Sequence, residues 1–277
     1  MSDAGPRLKL NDGREIPQLG FGVFQIRPEE TADAVAHALD TGYRAIDTAA
    51  AYRNEAGVAE GIARSGLARE DVFVTTKLWN SDQGRDHTRR AFERSLSRLG
   101  SDYVDLYLIH WPVPSRDLYA ETWEVLCELH EDGQAHSIGV SNFQIDHLER
   151  IIDESGVVPA VNQIELHPRL AQPELRRFHD EHEILTEAWS PLGQGATLQE
   201  KVIEDIATAR ERSPAQIVLR WHLQLGNVVI PKSVTPSRIE ENFRIFDFEL
   251  EEEEMAAMGE LDEGRRTGPD PATFAVA

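Results

Sequence analysis

At 277 residues the chain is long for one ordinary domain but within the length of a single α/β barrel, so length allows one barrel or two domains. Hydrophobic residues make up 40% of it, no apolar run approaches the ~20 residues of a bilayer crossing, and the opening MSDAGPRLKL has no signal-peptide core. A net charge of −21 repels phosphate backbones and anionic lipid, and the lone Cys127 can form neither an internal disulfide nor a multi-cysteine metal site; the expectation is a cytoplasmic chain with no nucleic-acid or membrane partner.

Taken in order, the first element is a hairpin, Leu8–Leu10 and Glu15–Gln18 across Asn11-Asp12-Gly13. A strand over Leu19–Gly22 follows, and a helix opens at Pro28 with Glu29 and Glu30 in its first turn. Short β-branched runs then predict strands near Ala45–Asp47, Val72–Leu78, Val104–His110, Ser137–Ser141, Ala160–Gln163, Ile184–Trp189 and Val228–Pro231. Helical periods lie between them, for example Thr88–Leu99 and Leu118–Glu131. The acidic run Glu249–Glu254 suits a helix start, and equally a solvated face. No Pro/Gly/Ser-rich linker divides the chain, so the pattern predicts one (β/α)8 TIM barrel over residues 1–277, with an N-terminal β-hairpin and a short C-terminal tail.

In such barrels the chemistry collects where strands end. Asp47, Lys77 and His110 close successive strands, and Tyr52 lies in the loop after Asp47. Alone, each has an ordinary use: an Asp caps a helix, a Tyr packs, a Lys pairs with a surface acid. Only four lysines occur (Lys9, Lys77, Lys201, Lys232), which makes one at a strand end informative. Together the four groups make an acid/base site for a carbonyl. Lys77 would lower the pKa of the Tyr52 phenol, Asp47 would hold the ammonium, and His110 would orient the carbonyl oxygen. Neither a Gly-x-Ser-x-Gly elbow nor a placed cysteine supplies a nucleophile, so a cofactor must carry the redox equivalent.

The stretches GYRAIDTAAAYRNEAGV, TTKLWN, DLYLIHWP, SIGVSNF, VNQIELHP, AWSPLGQG and IPKSVTPSRIEENF run in this order between about Leu10 and Leu261. They resemble the aldo-keto reductase family, most closely its bacterial 2,5-diketo-D-gluconate reductase type. The resemblance implies a catalytic tetrad of Tyr52, Asp47, Lys77 and His110, and NADPH bound across the barrel mouth without a Rossmann domain; the chain has no strand-linked GxGxxG. It implies Ser141, Asn142 and Gln163 at the nicotinamide carboxamide, Trp189 stacked on the ring, and Ser190, Leu192 and Gln194 along the pyrophosphate. Lys232, Ser233, Val234, Thr235 and Arg238 would hold the 2′-phosphate end, with Glu241 and Asn242 at the adenine. Ala59 stands where the family commonly has glycine, a matter of packing.

Phe24, Trp79 and Trp111, each just beyond a strand, together with His110, are the expected substrate walls. Glu165 and His167 have metal-ligand spacing, but the first strand, Leu-Gly-Phe-Gly, offers no ligand, and no metal is expected. His130, His136, His147, His179, His182 and His222 are expected on helices or at their ends, mostly as surface or capping residues. Two other readings stay open: a nucleotide-binding barrel that regulates a membrane channel without turnover, and an enzyme working mainly as an alcohol dehydrogenase. The family implies small carbonyl substrates and a monomer.

Overall fold

A computed structural model describes residues 5–276; residues 1–4 and 277, the ends of the expected domain, lie outside the described residues. Strands β1 (Arg7–Lys9) and β2 (Glu15–Pro17) form the antiparallel hairpin. Then follow β3 (Phe21–Gly22), α1 (Pro28–Thr41), β4 (Ala45–Asp47), α2 (Glu55–Ser65), β5 (Phe73–Leu78), α3 (Arg85–Leu99), β6 (Val104–Ile109) and α4 (Tyr119–Glu131). The second half runs β7 (Ala135–Ser141), α5 (Ile145–Ser155), β8 (Val161–Glu165), α6 (Pro173–Glu181), β9 (Leu185–Trp189), α7 (Lys201–Arg210), α8 (Pro214–Gln224), β10 (Val228–Val229), α9 (Pro236–Phe243) and α10 (Glu252–Gly259). Of the two ways to take the acidic run, the helix start is realised: Glu251 and Glu254 form a reciprocal capping box on α10.

Strands β3 to β10 make one parallel eight-stranded sheet in chain order. It curls until its edges meet: Gly20 N donates to Val229 O (2.9 Å), Val229 N to Gln18 O (3.0 Å) and Gly22 N to Pro231 O (3.1 Å). The seam is tight enough to require small residues, since a Cβ on Gly22 would stand 3.0 Å from Ile230 O. These contacts also explain why β3 and β10 are shorter than expected. Their outer residues bond across the seam, and Pro231 has no N–H to extend a ladder.

Two apolar layers follow from the alternation of strand side chains. Outward residues such as Ile46, Val74, Tyr107, Ile109, Ile138, Val140 and Ala188 pack with Leu39, Phe92, Trp123, Leu126 and Trp221 of the helices. Inward residues Ala45, Phe73, Leu106, Leu108, Val161 and Val228 fill the lower interior, which the hairpin plugs from below with Leu10 and Ile16. The interior is therefore a packed floor under a polar layer. Nearer the strands' carboxyl ends the same inward rows carry Asp47, Lys77, Ser141, Gln163 and Glu187, all buried.

Candidate active site

The polar layer centres on Lys77. Its buried Nζ donates to Asp47 Oδ1 (2.6 Å) and Oδ2 (2.8 Å) and to Thr48 O (2.9 Å), and lies 3.4 Å from the Tyr52 hydroxyl. Asp47 ends β4, Lys77 is the next-to-last residue of β5, and Tyr52 closes a short 3-10 turn, Ala50–Tyr52. Asn54 holds that turn in place: it accepts from Thr48 Oγ1 (2.8 Å) and donates to Val23 O (3.0 Å). His110 follows β6 directly, its ring edge-on to Tyr52 at 5.7 Å and to Trp79 at 5.2 Å. The four residues expected from the strand ends thus share one small volume.

Burial governs their protonation. It works to lower the pKa of the Lys77 ammonium, but the charges of Asp47 and Tyr52 and the Asp47 hydrogen bonds outweigh it, and Lys77 is held above its ordinary value. Burial, with a smaller contribution from Lys77, pushes His110 well below the usual histidine range, so its ring is neutral near pH 7. His110 Nδ1 is buried with no partner among the described residues.

Tyr52 departs from expectation. Lys77 pulls its pKa down as the sequence suggested, but burial is the larger effect and leaves the phenol above its ordinary value. The site as described holds a protonated phenol against an ammonium.

Around this centre, Gln163 Nε2 donates to Asp47 Oδ2 (2.8 Å) and to Glu187 Oε2 (3.0 Å). Ser141 Oγ donates to Gln163 O (2.8 Å), and Asn142 Nδ2 to His110 O (2.9 Å) and Ser141 Oγ (3.0 Å). Trp189 Nε1 donates to Asn142 Oδ1 (2.9 Å), which fixes the indole at the end of β9. Asn142, Ser190 and Gln194 all take left-handed backbone (φ 64°, 48° and 54°), strain of the kind that collects at binding loops. Leu192 is half-buried in the same loop.

Beyond β10, Lys232, Thr235 and Arg238 are exposed, as is Val234 at 50%, while Ser233 and Asn242 are buried and Glu241 accepts from Ser213 Oγ (2.5 Å). Neither Lys232 nor Arg238 appears in an ion pair within 4.0 Å among the described residues, so Arg238 is not consumed by Glu240 or Glu241 of its own helix. Of the expected substrate walls, Phe24 is 53% exposed with its ring 5.0 Å from that of Tyr52, and Trp111 is buried against Phe274 at 4.3 Å.

A sequence model described as the aldo/keto reductase family matches residues 18–263. The chain belongs to the aldo-keto reductase family. It is 57% identical to an aldo-keto reductase of Mycolicibacterium smegmatis over 97% of this chain and 98% of that one, and 53% identical to the methylglyoxal reductase DkgA of Escherichia coli over 96% and 97%. Among solved structures, an aldo/keto reductase from Brucella melitensis superposes with a TM-score of 0.91 at 59% identity, covering 93% of this chain and 98% of that one. A variant of Gox0644 in complex with NADPH gives 0.94 at 49%, with 98% of each chain covered.

Three features of this reductase escaped the sequence reading. Glu187, on the inward face of β9, is a second buried acid bonded to the same Gln163 amide as Asp47. Glu165 is an anchor rather than half of a metal pair: it accepts from Thr267 N (2.5 Å), Thr267 Oγ1 (2.6 Å) and Gly268 N (3.2 Å), with His167 Nε2 at 3.2 Å. The C-terminal segment is thereby laid over the strand ends, so close to Trp189 that a Cβ on Gly268 would meet the indole at 2.5 Å. The histidine expectation also needs correction. His136 lies on β7, and His179 and His222 are fully buried, pushed down to about 3 chiefly by burial. His179 sits between Thr186 Oγ1 (2.8 Å) and Asn162 Nδ2 (2.9 Å), and His222 Nε2 lies 3.2 Å from Pro191 O, so both are satisfied core residues. His147 does cap, completing the capping box of α5.

Proposed function

We propose that the chain is an NADPH-dependent reductase of small polar aldehydes, dicarbonyls and keto-sugar acids, a single (β/α)8 barrel over residues 1–277 that works as a cytoplasmic monomer, with Tyr52 as its acid. One observation carries the reading: a buried lysine, charge-balanced by Asp47, faces the Tyr52 hydroxyl beside a neutral imidazole. A protonated phenol is an acid in waiting, and the adjacent ammonium stabilises the phenolate left behind. A neutral His110 can direct a carbonyl oxygen to the same point without competing for the proton.

Bound NADPH supplies the hydride. Ser141, Asn142 and Gln163 would meet its carboxamide; Asn142 already spends its amide on His110, Ser141 and Trp189, and Gln163 spends its Nε2 on Asp47 and Glu187, which leaves the Gln163 Oε1 to accept. Trp189 offers the ring face, and Ser190, Leu192 and Gln194 the strained loop along the pyrophosphate. Lys232 and Arg238, cations without an ion-pair partner among the described residues in a chain of net charge −21, fit a 2′-phosphate, with Ser233, Val234 and Thr235 between them and Glu241 and Asn242 beyond. Phe24, Trp79, His110 and Trp111 form the substrate walls. The NADPH complex of Gox0644 and the naming of DkgA as a methylglyoxal reductase support the cofactor and the carbonyl class.

The test is loss of NADPH absorbance with a panel of aldehydes and dicarbonyls, methylglyoxal included, for the wild type and Tyr52→Phe. The variant should bind NADPH nearly as well as wild type and lose about 10² to 10⁴ in kcat, the range for a missing general acid. NADPH binding without turnover in the wild type would favour the regulatory reading, and wild-type kcat in Tyr52→Phe would remove Tyr52 from its role.

A further inference from the structure

Glu187 has no place in the tetrad or in the cofactor contacts. It faces the interior in register with Gln163 on β8 and Val228 on β10, and is 1% exposed. The charged or titratable groups acting on it across the interior are Asp47 from β4 and Lys77 from β5, and Tyr52 from the turn after β4 feels its charge in turn. The flanking strands add only Gln163 and apolar Val228. Gln163 Nε2 uses its two hydrogens on two carboxyl groups, Asp47 Oδ2 at 2.8 Å and Glu187 Oε2 at 3.0 Å. This grip dictates the amide's orientation, because the reverse flip would set its oxygen against the Asp47 carboxylate, which can only accept. The Gln163 side-chain Oε1 is then the atom left to receive a donor.

We propose that Glu187 is a positioning residue of the reductase: with Asp47 it fixes the Gln163 amide, and its charge controls how readily Tyr52 releases a proton. The inference rests on Tyr52 being the acid, as argued above. An ionised Glu187 adds a negative charge to a buried network that already holds Asp47, and a negative charge beside Tyr52 opposes phenolate formation. A protonated Glu187 removes that opposition. Reduction should therefore run best with Glu187 protonated and weaken as the carboxyl loses its proton to solvent.

Burial, reinforced by Asp47, pushes Glu187 up to about 8 despite opposing help from Gln163 and Lys77. Tyr52 and Lys77 sit above their ordinary values and His110 well below its own, so none of these three titrates between about pH 7 and 9. A loss of activity in that window that disappears when Glu187 is replaced by a neutral residue belongs to Glu187.

The experiment is the pH profile of kcat for NADPH-dependent reduction of methylglyoxal from about pH 6 to 10 in wild type and Glu187→Gln, with Glu187→Thr as the second neutral variant should Gln fail to fold. Wild type should lose at least about fivefold between pH 7 and 9, while the neutral variant keeps at least about half of wild-type kcat near pH 6.5 and stays flat through 8. A cofactor-free readout accompanies it: the infrared band of a protonated carboxyl, present in wild type near neutrality, should vanish through about pH 8 and be missing from the variant. Superimposable profiles, or an unchanged band, would overturn the role of Glu187. Wild-type activity in Tyr52→Phe would instead overturn the acid assignment beneath it, so the two failures are distinguishable.

Discussion

Replacing Lys77 by Met tests the centre of the site most severely. The side chains of Lys77 and Asp47 are 0% and 4% exposed, and the pair is joined by two short hydrogen bonds. Methionine fills a similar volume but leaves the Asp47 carboxylate with Gln163 Nε2 as its remaining side-chain donor. An uncompensated buried charge of this kind costs about 3 to 5 kcal/mol, or roughly 10 °C in Tm for a chain of this size. Asp47 can escape the penalty only by protonation, which raises its folded pKa above the unfolded value of about 3.9. Such a carboxyl contributes its full stability below the unfolded pKa and loses it as pH rises through the folded one. The deficit of Lys77→Met against wild type should therefore be small near pH 4 and largest near neutrality. Calorimetry or circular dichroism melts of both proteins from about pH 4 to 8 read it, and kcat should fall about 10² to 10⁴, since nothing then offsets the burial of the phenol. A deficit under about 1 kcal/mol that does not vary with pH, together with wild-type kcat, would refute the ion-pair account.

The tetrad was legible because parallel strands end on one side, so a polar residue closing an apolar run is either misplaced or in the site. Lys77 stood out further for being one of four lysines. Glu187 was hidden for the opposite reason. It sits inside the apolar run Leu185–Trp189, where alternation places Leu185, Glu187 and Trp189 on one face but does not say that the face turns toward Asp47 and Lys77. That depends on curling the sheet until β4 and β9 oppose each other. Glu165 was weighed only against His167, two residues away, and set aside as a metal ligand; its anchoring role went unread because its main partner, Thr267, is 102 residues away. His179 and His222 show the same limit, since which side of a helix is covered is decided by its neighbours in space. The direction at Tyr52 failed because burial, which a sequence does not display, outweighs the attraction of Lys77 that it does.

Three further outcomes are expected. Arg238→Ala should raise the KM for NADPH and erode a preference over NADH of at least about tenfold, roughly 1.4 kcal/mol, with kcat and the KM for NADH little changed; an equal effect on both cofactors would sink the 2′-phosphate assignment. With a net charge of −21, Tm should climb between low salt and about 1 M KCl as self-repulsion is screened, and a flat response would discard salt adaptation of the surface. The last concerns Glu187 as a load on folding. Its pKa rises from 4.5 to about 8 on burial, so the folded protein holds a proton there that the unfolded chain releases. Its share of stability is complete below about pH 4.5 and drains away as pH climbs through 8, by a few kcal/mol. Glu187→Gln has no proton to lose, so Tm of the variant minus Tm of wild type should increase from about pH 5 and level off above about pH 8. A difference that stays constant over that range would mean that the carboxyl is already ionised at neutrality, and both the stability argument and the proposed control of Tyr52 would fall together.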